Sequence, residues 1–226
     1  MTTRGVFVTG TDTGIGKTWA SCVLLAALRA RGLRTVGMKP VASGCIATPT
    51  GLRNEDAEAL IASSDPTPAY TDCNRFALAE SIAPHIAARA SGIEITLAPM
   101  LAAYARVADG AAHIVVEGVG GWMVPFSETL MQADLVRALD VPVILVVGLR
   151  LGCINHALLS VRAIRDDGCI LAGWIANRID PAMACADANL ATLRERIAAP
   201  LLGVLDHTPG GYAPEYAADL LDTSAL

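Results

Sequence analysis

VFVTGTDTGIGKTWAS, residues 6–21, places an apolar β-rich run before a glycine-rich loop, and the loop before a helical pattern. A phosphate-binding loop needs backbone N–H groups turned inward, and glycines permit that conformation. The helix that follows adds the positive end of its dipole. In such a loop Lys17 reaches the β- and γ-phosphates of a nucleotide, and the Thr18 hydroxyl binds Mg²⁺. The common pattern is G-x-x-x-x-G-K-[ST]. Here Thr11 stands five before Gly16, and the glycine falls one earlier, at Gly10. A dinucleotide loop is the competing reading. It requires an acid at the end of the second strand, where this chain has Met38-Lys39-Pro40, and a third glycine where it has Trp19.

Outward from the loop, strand and helix patterns alternate. Gly5–Thr9, Thr35–Met38, His113–Glu117, Val141–Val147, Ile170–Ala176 and Leu201–Leu205 read as strands. Lys17–Arg31, Asn54–Ser63, Ala83–Ala90, Leu97–Ala108, Gln132–Leu139, Ile154–Arg165, Ala186–Ile197 and Glu215–Leu221 read as helices, with Asn54 and Thr96 as N-caps. Continuous Val/Ile/Leu strands are those covered on both faces. The pattern predicts a doubly wound, mostly parallel α/β sheet of the P-loop NTPase-like kind, in one domain over residues 1–226. Ligands of such sheets bind beyond the carboxyl ends of the strands.

Composition excludes several classes. The 226 residues are 53% hydrophobic and 17% charged, with net charge −5, so no broad basic face for nucleic acid is expected. The longest apolar runs, Val141–Leu149 and Ala20–Leu28, fall short of the roughly 20 residues that span a bilayer. With no apolar leader after Met1, a cytoplasmic protein is expected. The six cysteines form no CxxC pair and predict reduced, mostly buried thiols.

Only two of the seventeen cationic residues are lysines, Lys17 in GTDTGIGKT and Lys39 in GMKPVASG. Lysine is a compact point charge that a planar guanidinium does not imitate, so both places point to a small anionic site. Glu117 ends a buried strand and precedes Gly118, Gly120 and Gly121, which suits a magnesium acid with close ligand approach. Asp56 in GLRNEDAEAL is read equally well as a helix-start acid or as a second magnesium ligand.

Four stretches in this order, GTDTGIGKT, KPVASG followed by GLRNEDA, EGVGGW, and PVILVVGLRLGCINHA, resemble the dethiobiotin synthetase family, through to about residue 205. The resemblance implies ATP- and Mg²⁺-dependent carboxylation of 7,8-diaminononanoate by CO₂, phosphorylation of the carbamate, and ring closure to dethiobiotin with release of ADP and phosphate. It implies a homodimer. Lys39, Lys17 and Thr13 take catalytic positions, and Thr18, Asp56 and Glu117 form the magnesium set. The nucleotide falls to Gly14, Ile15, Gly16, Lys17, Thr18 and Trp19, to Gly118, Val119 and Gly120, and to Asn177, Arg178, Asp206, His207 and Thr208. Asn177 corresponds to the residue that reads adenine. Ser43 donates to substrate. Gly152, Cys153, Ile154 and Asn155 hold the substrate's carboxylate tail across the dimer interface, while His156 is read as a structural hydrogen-bonder. The chain departs from the family pattern at Gly14, Asn189 and Asp206–Thr208, and after Pro209. A ParA/MinD-like switch ATPase is the alternative. It calls for a signature lysine within Gly10–Ile15, which this loop lacks.

Overall fold

A computed structural model describes residues 4–207 and 213–226. In chain order the elements are β1 (Arg4–Gly10), α1 (Lys17–Ala30), β2 (Thr35–Met38), β3 (Val41–Ala42), β4 (Ile46–Thr48) and β5 (Gly51–Arg53). Then come α2 (Glu55–Ala62), α3 (Tyr70–Cys73), β6 (Phe76–Ala77), α4 (Pro84–Ala90), α5 (Leu97–Ala108) and β7 (His113–Glu117). The second half runs α6 (Gln132–Leu139), β8 (Val143–Gly148), α7 (Cys153–Asp166), β9 (Leu171–Asn177), α8 (Ala186–Arg196) and β10 (Leu201–Leu205), and ends in a 3₁₀ helix, Pro214–Leu220.

Six strands form one sheet in the order β10-β9-β8-β1-β7-β2, and every pairing in it is parallel. From β1 the chain winds to one edge through β2 and β7, then to the other through β8, β9 and β10. Strand order therefore reverses at β1, and the loop after β1 opens where ligands of such sheets bind.

Alternation along the strands explains their unbroken apolar sequences. Val143, Leu145 and Val147 of β8 join a core with α5, α6, α7 and α8. Ile144 and Val146 face the other way, into a core with α1, α2 and the 3₁₀ helix. Leu24, Leu25 and Leu28 of α1 are fully buried there, each contributing about 1.5–3 kcal/mol of transfer free energy. Among the described residues, no helix is long and apolar enough to cross a membrane.

The structure departs from the sequence reading in three places. Thr96 precedes α5 but makes no side-chain cap bond. The C-terminal turn is 3₁₀ and not α-helical. The β3–β6 pair, the β4–β5 hairpin and α3 were not anticipated, because elements of two to four residues are too short to show a period. The cysteines follow the expectation of free, mostly buried thiols: Cys22, Cys45, Cys73 and Cys153 are buried, Cys169 is intermediate and Cys185 exposed.

Candidate active site

β1 ends at Gly10 and the chain turns across the carboxyl edge of the sheet, anchored where Thr11 N–H donates to the Val146 carbonyl at 3.0 Å. Gly16 then starts α1 with φ 80°, a left-handed conformation. A Cβ there would lie 2.2 Å from Asn177 Nδ2, so both conformation and space require glycine. The first turn of α1 contains no acidic residue, which leaves its amides and dipole to an anion.

Asp12 is the hub of the loop. Its carbonyl accepts from Lys17 Nζ at 2.8 Å, its Oδ1 accepts from Thr13 N–H at 2.8 Å, and its Oδ2 pairs with Arg150. The bond from Thr13, against burial and with help from Arg150, holds the Asp12 carboxyl below the usual range. Asn177, at the end of β9, donates from Nδ2 to the Ile15 carbonyl at 2.9 Å and ties the loop to the neighbouring strand.

Behind the loop lies an ionic cluster. Lys39 follows β2, Asp56 lies in the first turn of α2, and Glu117 ends β7. Lys39 Nζ lies 2.5 Å from Glu117 Oε1 and 2.9 Å from Asp56 Oδ2. Thr18 Oγ1 donates to the same Glu117 Oε1 at 2.9 Å. Glu117 is 0% exposed, Lys39 3% and Lys17 7%. Burial depresses the Lys39 ammonium, but Glu117 and Asp56 outweigh it and hold the group above its ordinary value. Burial raises Asp56, and Lys39 outweighs that in turn, so the carboxyl is held low. Lys17 is pushed down to about 8, by burial first and then by the like charge of Lys39.

Asn54 and Asn74 brace two members of this cluster, Asp56 through its helix and Lys39 through its backbone. Asn54 Oδ1 caps α2 by accepting from Ala57 N–H at 3.2 Å, as its place before the helix predicted. Asn74 Nδ2 donates to the Lys39 carbonyl at 2.7 Å, and Lys39 N–H donates to Cys73 at 2.9 Å.

These groups open into a cleft of about 820 Å³. Thr13, Gly14, Gly16, Lys17, Thr18, Lys39, Ser43, Asp56, Val119 and Gly120, all singled out from sequence, line it together. Glu117 and Gly118 lie beneath its floor. Ile15 is fully buried and contributes its carbonyl rather than its side chain. Trp19, Asn177, Arg178, Asp206 and His207 meet Gly14 and Gly16 in a separate cavity of about 380 Å³ on the other side of the loop. Arg178 pairs with Asp187 at 2.5 Å and Asp206 at 3.3 Å. Thr208 lies outside the described residues.

Gly152, Cys153, Ile154 and Asn155 do not line the cleft of their own chain. They form the N-terminus of α7, where Cys153 is buried and Leu151 is 92% exposed.

Several contributors were not singled out from sequence. Ser81, Ile82, Ala83 and Pro84 form one wall of the cleft at the start of α4. Fully buried Gln132 accepts from Val119 N–H and donates to the Gly121 carbonyl, both at 2.8 Å, holding the glycine loop after β7. Its trace in the sequence is a lone amide at the start of a helix.

Thr18, Asp56 and Glu117 fit a magnesium ion in donor type, since Mg²⁺ favours hard oxygen ligands and keeps several waters. Glu117 Oε2 is buried and, among the described residues, has no hydrogen-bond partner, an acceptor left over beneath the cleft. Among the described residues there is no group of three or more His, Cys, Asp or Glu to form a complete protein cage.

A parallel sheet with strand, glycine loop and helix at its switch point, and a lysine directed into the loop, defines the class as P-loop nucleotide-binding proteins. A family model described as an AAA domain matches residues 4–213. The signal recognition particle receptor FtsY from Elizabethkingia anophelis, solved with GDP, shares this fold at TM-score 0.50 and 13% identity, over 100% of this chain and 62% of that one. Curated proteins are far closer. One from Xylella fastidiosa, named ATP-dependent dethiobiotin synthetase BioD, is 57% identical over 214 residues, 95% of each chain. Another of that name, from Xanthomonas euvesicatoria, is 56% identical over 95% of this chain and 96% of its own. The chain belongs to the ATP-dependent dethiobiotin synthetase family.

Proposed function

We propose that the protein closes the ureido ring of dethiobiotin from 7,8-diaminononanoate, CO₂ and ATP. The observation that carries this reading is the convergence of two buried ammonium groups, Lys17 and Lys39, with Thr18, Asp56 and Glu117 at one cleft.

One amine of the substrate adds to CO₂ and loses a proton, giving a carbamate. A carbamate oxygen attacks the γ-phosphorus of ATP, ADP leaves, and a carbamic–phosphoric anhydride forms. The second amine attacks the carbonyl carbon, phosphate leaves with the bonding pair, and a second proton is released. Each step places negative charge near the others, so catalysis rests on positioning and fixed positive charge.

Lys17 and the amides of Gly14–Thr18 hold the ATP phosphates, and Lys39 faces the carbamate and the transferring phosphoryl group. Thr13 and Ser43 orient the reacting groups from the cleft walls. Thr18, Asp56 and Glu117 would hold Mg²⁺, which supplies charge neutralisation for the triphosphate. The cavity beside Asn177 and Trp19 takes the base. Nδ2 of Asn177 donates to Ile15, so its Oδ1 is the atom available to an adenine amino group. The amides opening α7 hold the substrate's carboxylate from a second copy of the chain, consistent with their position away from their own cleft and with exposed Leu151 beside them.

The test is ADP release from Mg-ATP by purified protein. Release should require both diamine and bicarbonate, with one ADP formed per dethiobiotin. Equal release without the diamine would contradict the proposal.

A further inference from the structure

Lys39 has two side-chain partners, Glu117 and Asp56, and both belong to the proposed magnesium set. Thr18, the third member, donates to the same carboxylate oxygen. The ammonium therefore occupies the space between the two acids where a divalent cation would be held. The pairing also leaves capacity unused, because the fully buried Glu117 has a second oxygen with no partner among the described residues.

We infer that Lys39 is the resident counter-ion of the metal acids and must yield them before they can hold a divalent cation. The inference rests on the assignment of Thr18, Asp56 and Glu117 as metal ligands. Two carboxylates this close, one of them fully buried, would repel each other without a cation between them. Lys39 supplies that charge when the site holds no metal. Once it yields, its ammonium turns to the cleft that it already lines. The lysine that stabilises the reacting anions is thus set free only by loading of the site, which ties the arrival of metal to the positioning of Lys39. A lysine suits this exchange because its ammonium is compact and sits on a flexible stem, whereas an arginine fork would clamp a carboxylate through both oxygens.

The test uses metal alone, with neither ATP nor diamine. Mn²⁺ affinity is read by electron paramagnetic resonance for the wild type and for Lys39→Met. The variant should bind Mn²⁺ at least about tenfold more tightly, because a competing unit charge has gone. Unchanged or weaker affinity in the variant overturns the inference, as does failure of both proteins to bind.

The variant leaves Glu117 buried without its partner, so a second measurement is made on wild-type protein. The chain has only two lysines. Lysine labelled with heavy nitrogen at Nζ therefore gives at most two side-chain resonances. Titration with Mg²⁺ should move the Lys39 resonance saturably. Saturable Mg²⁺ binding with a stationary Lys39 resonance would overturn the exchange. Both measurements omit the reaction, so a failed ring-closure assay would refute the proposed activity without deciding this point.

Discussion

Lys39 holds its ammonium 2.5 Å from Glu117 and 2.9 Å from Asp56 in a space only 3% exposed. At that depth shape matters as much as charge. Lys39→Arg keeps the charge but brings a planar fork into a site packed for one nitrogen. We expect turnover to fall by about a hundredfold or more, the range seen when a fixed electrostatic donor is lost. Steady-state rates check this, and near wild-type turnover would refute the point-charge argument. Lys17 gives a second expectation, through pH. Its folded value, about 8, lies below its ordinary 10.5. Between those values the unfolded chain binds the additional proton, so the Lys17 contribution to stability rises with pH across that window; below about 8 the penalty of burying the ammonium is fully present. Function runs the other way. Above pH 8 the free enzyme loses the ammonium that the phosphates need, so KM for ATP should rise by up to about tenfold per pH unit. A KM that stays flat through this range would count against Lys17 as the phosphate ligand.

The helices and loops present these residues by ordinary local devices. Asn54 caps α2 and so fixes the turn that carries Asp56. Asn54→Ala should cost about 1 kcal/mol of stability. It should also raise the Mg²⁺ concentration needed for half-maximal rate, since the first turn of α2 would fray. Thermal melts and a magnesium titration check the two parts separately, and lost stability with an unchanged magnesium requirement would detach the cap from the site. This cap was legible in the sequence because Asn precedes an acidic, apolar-periodic stretch. The large strands were legible because both faces of the sheet are covered. The short strands β3 to β6 were not, being set by tertiary pairing and not by periodicity. Nor was the wall at Ser81–Pro84, whose residues carry no chemistry of their own and matter through placement. Gln132 escaped for a related reason: its two bonds go to backbone groups of a loop more than ten residues away.

At the scale of the whole molecule, β1 at the switch point brings loops from β1, β2 and β7 to one cleft, but α7 opens outside it. If the tail segment serves a partner's cleft, each site in a dimer draws on two chains. An inactive Lys39→Met protein and an inactive Asn155→Lys protein should then complement each other when mixed and allowed to exchange subunits. Random exchange would restore about a quarter of wild-type activity, because half the dimers are mixed and each mixed dimer has one intact site. No recovery from mixed dimers shown to have formed would place the tail within one chain. The central claim concerns the cleft itself, and its most direct test is incorporation of labelled bicarbonate into acid-stable product by wild-type protein with Mg-ATP and 7,8-diaminononanoate. The account predicts label that depends on both ATP and the diamine; no label from folded protein that still binds ATP would contradict it.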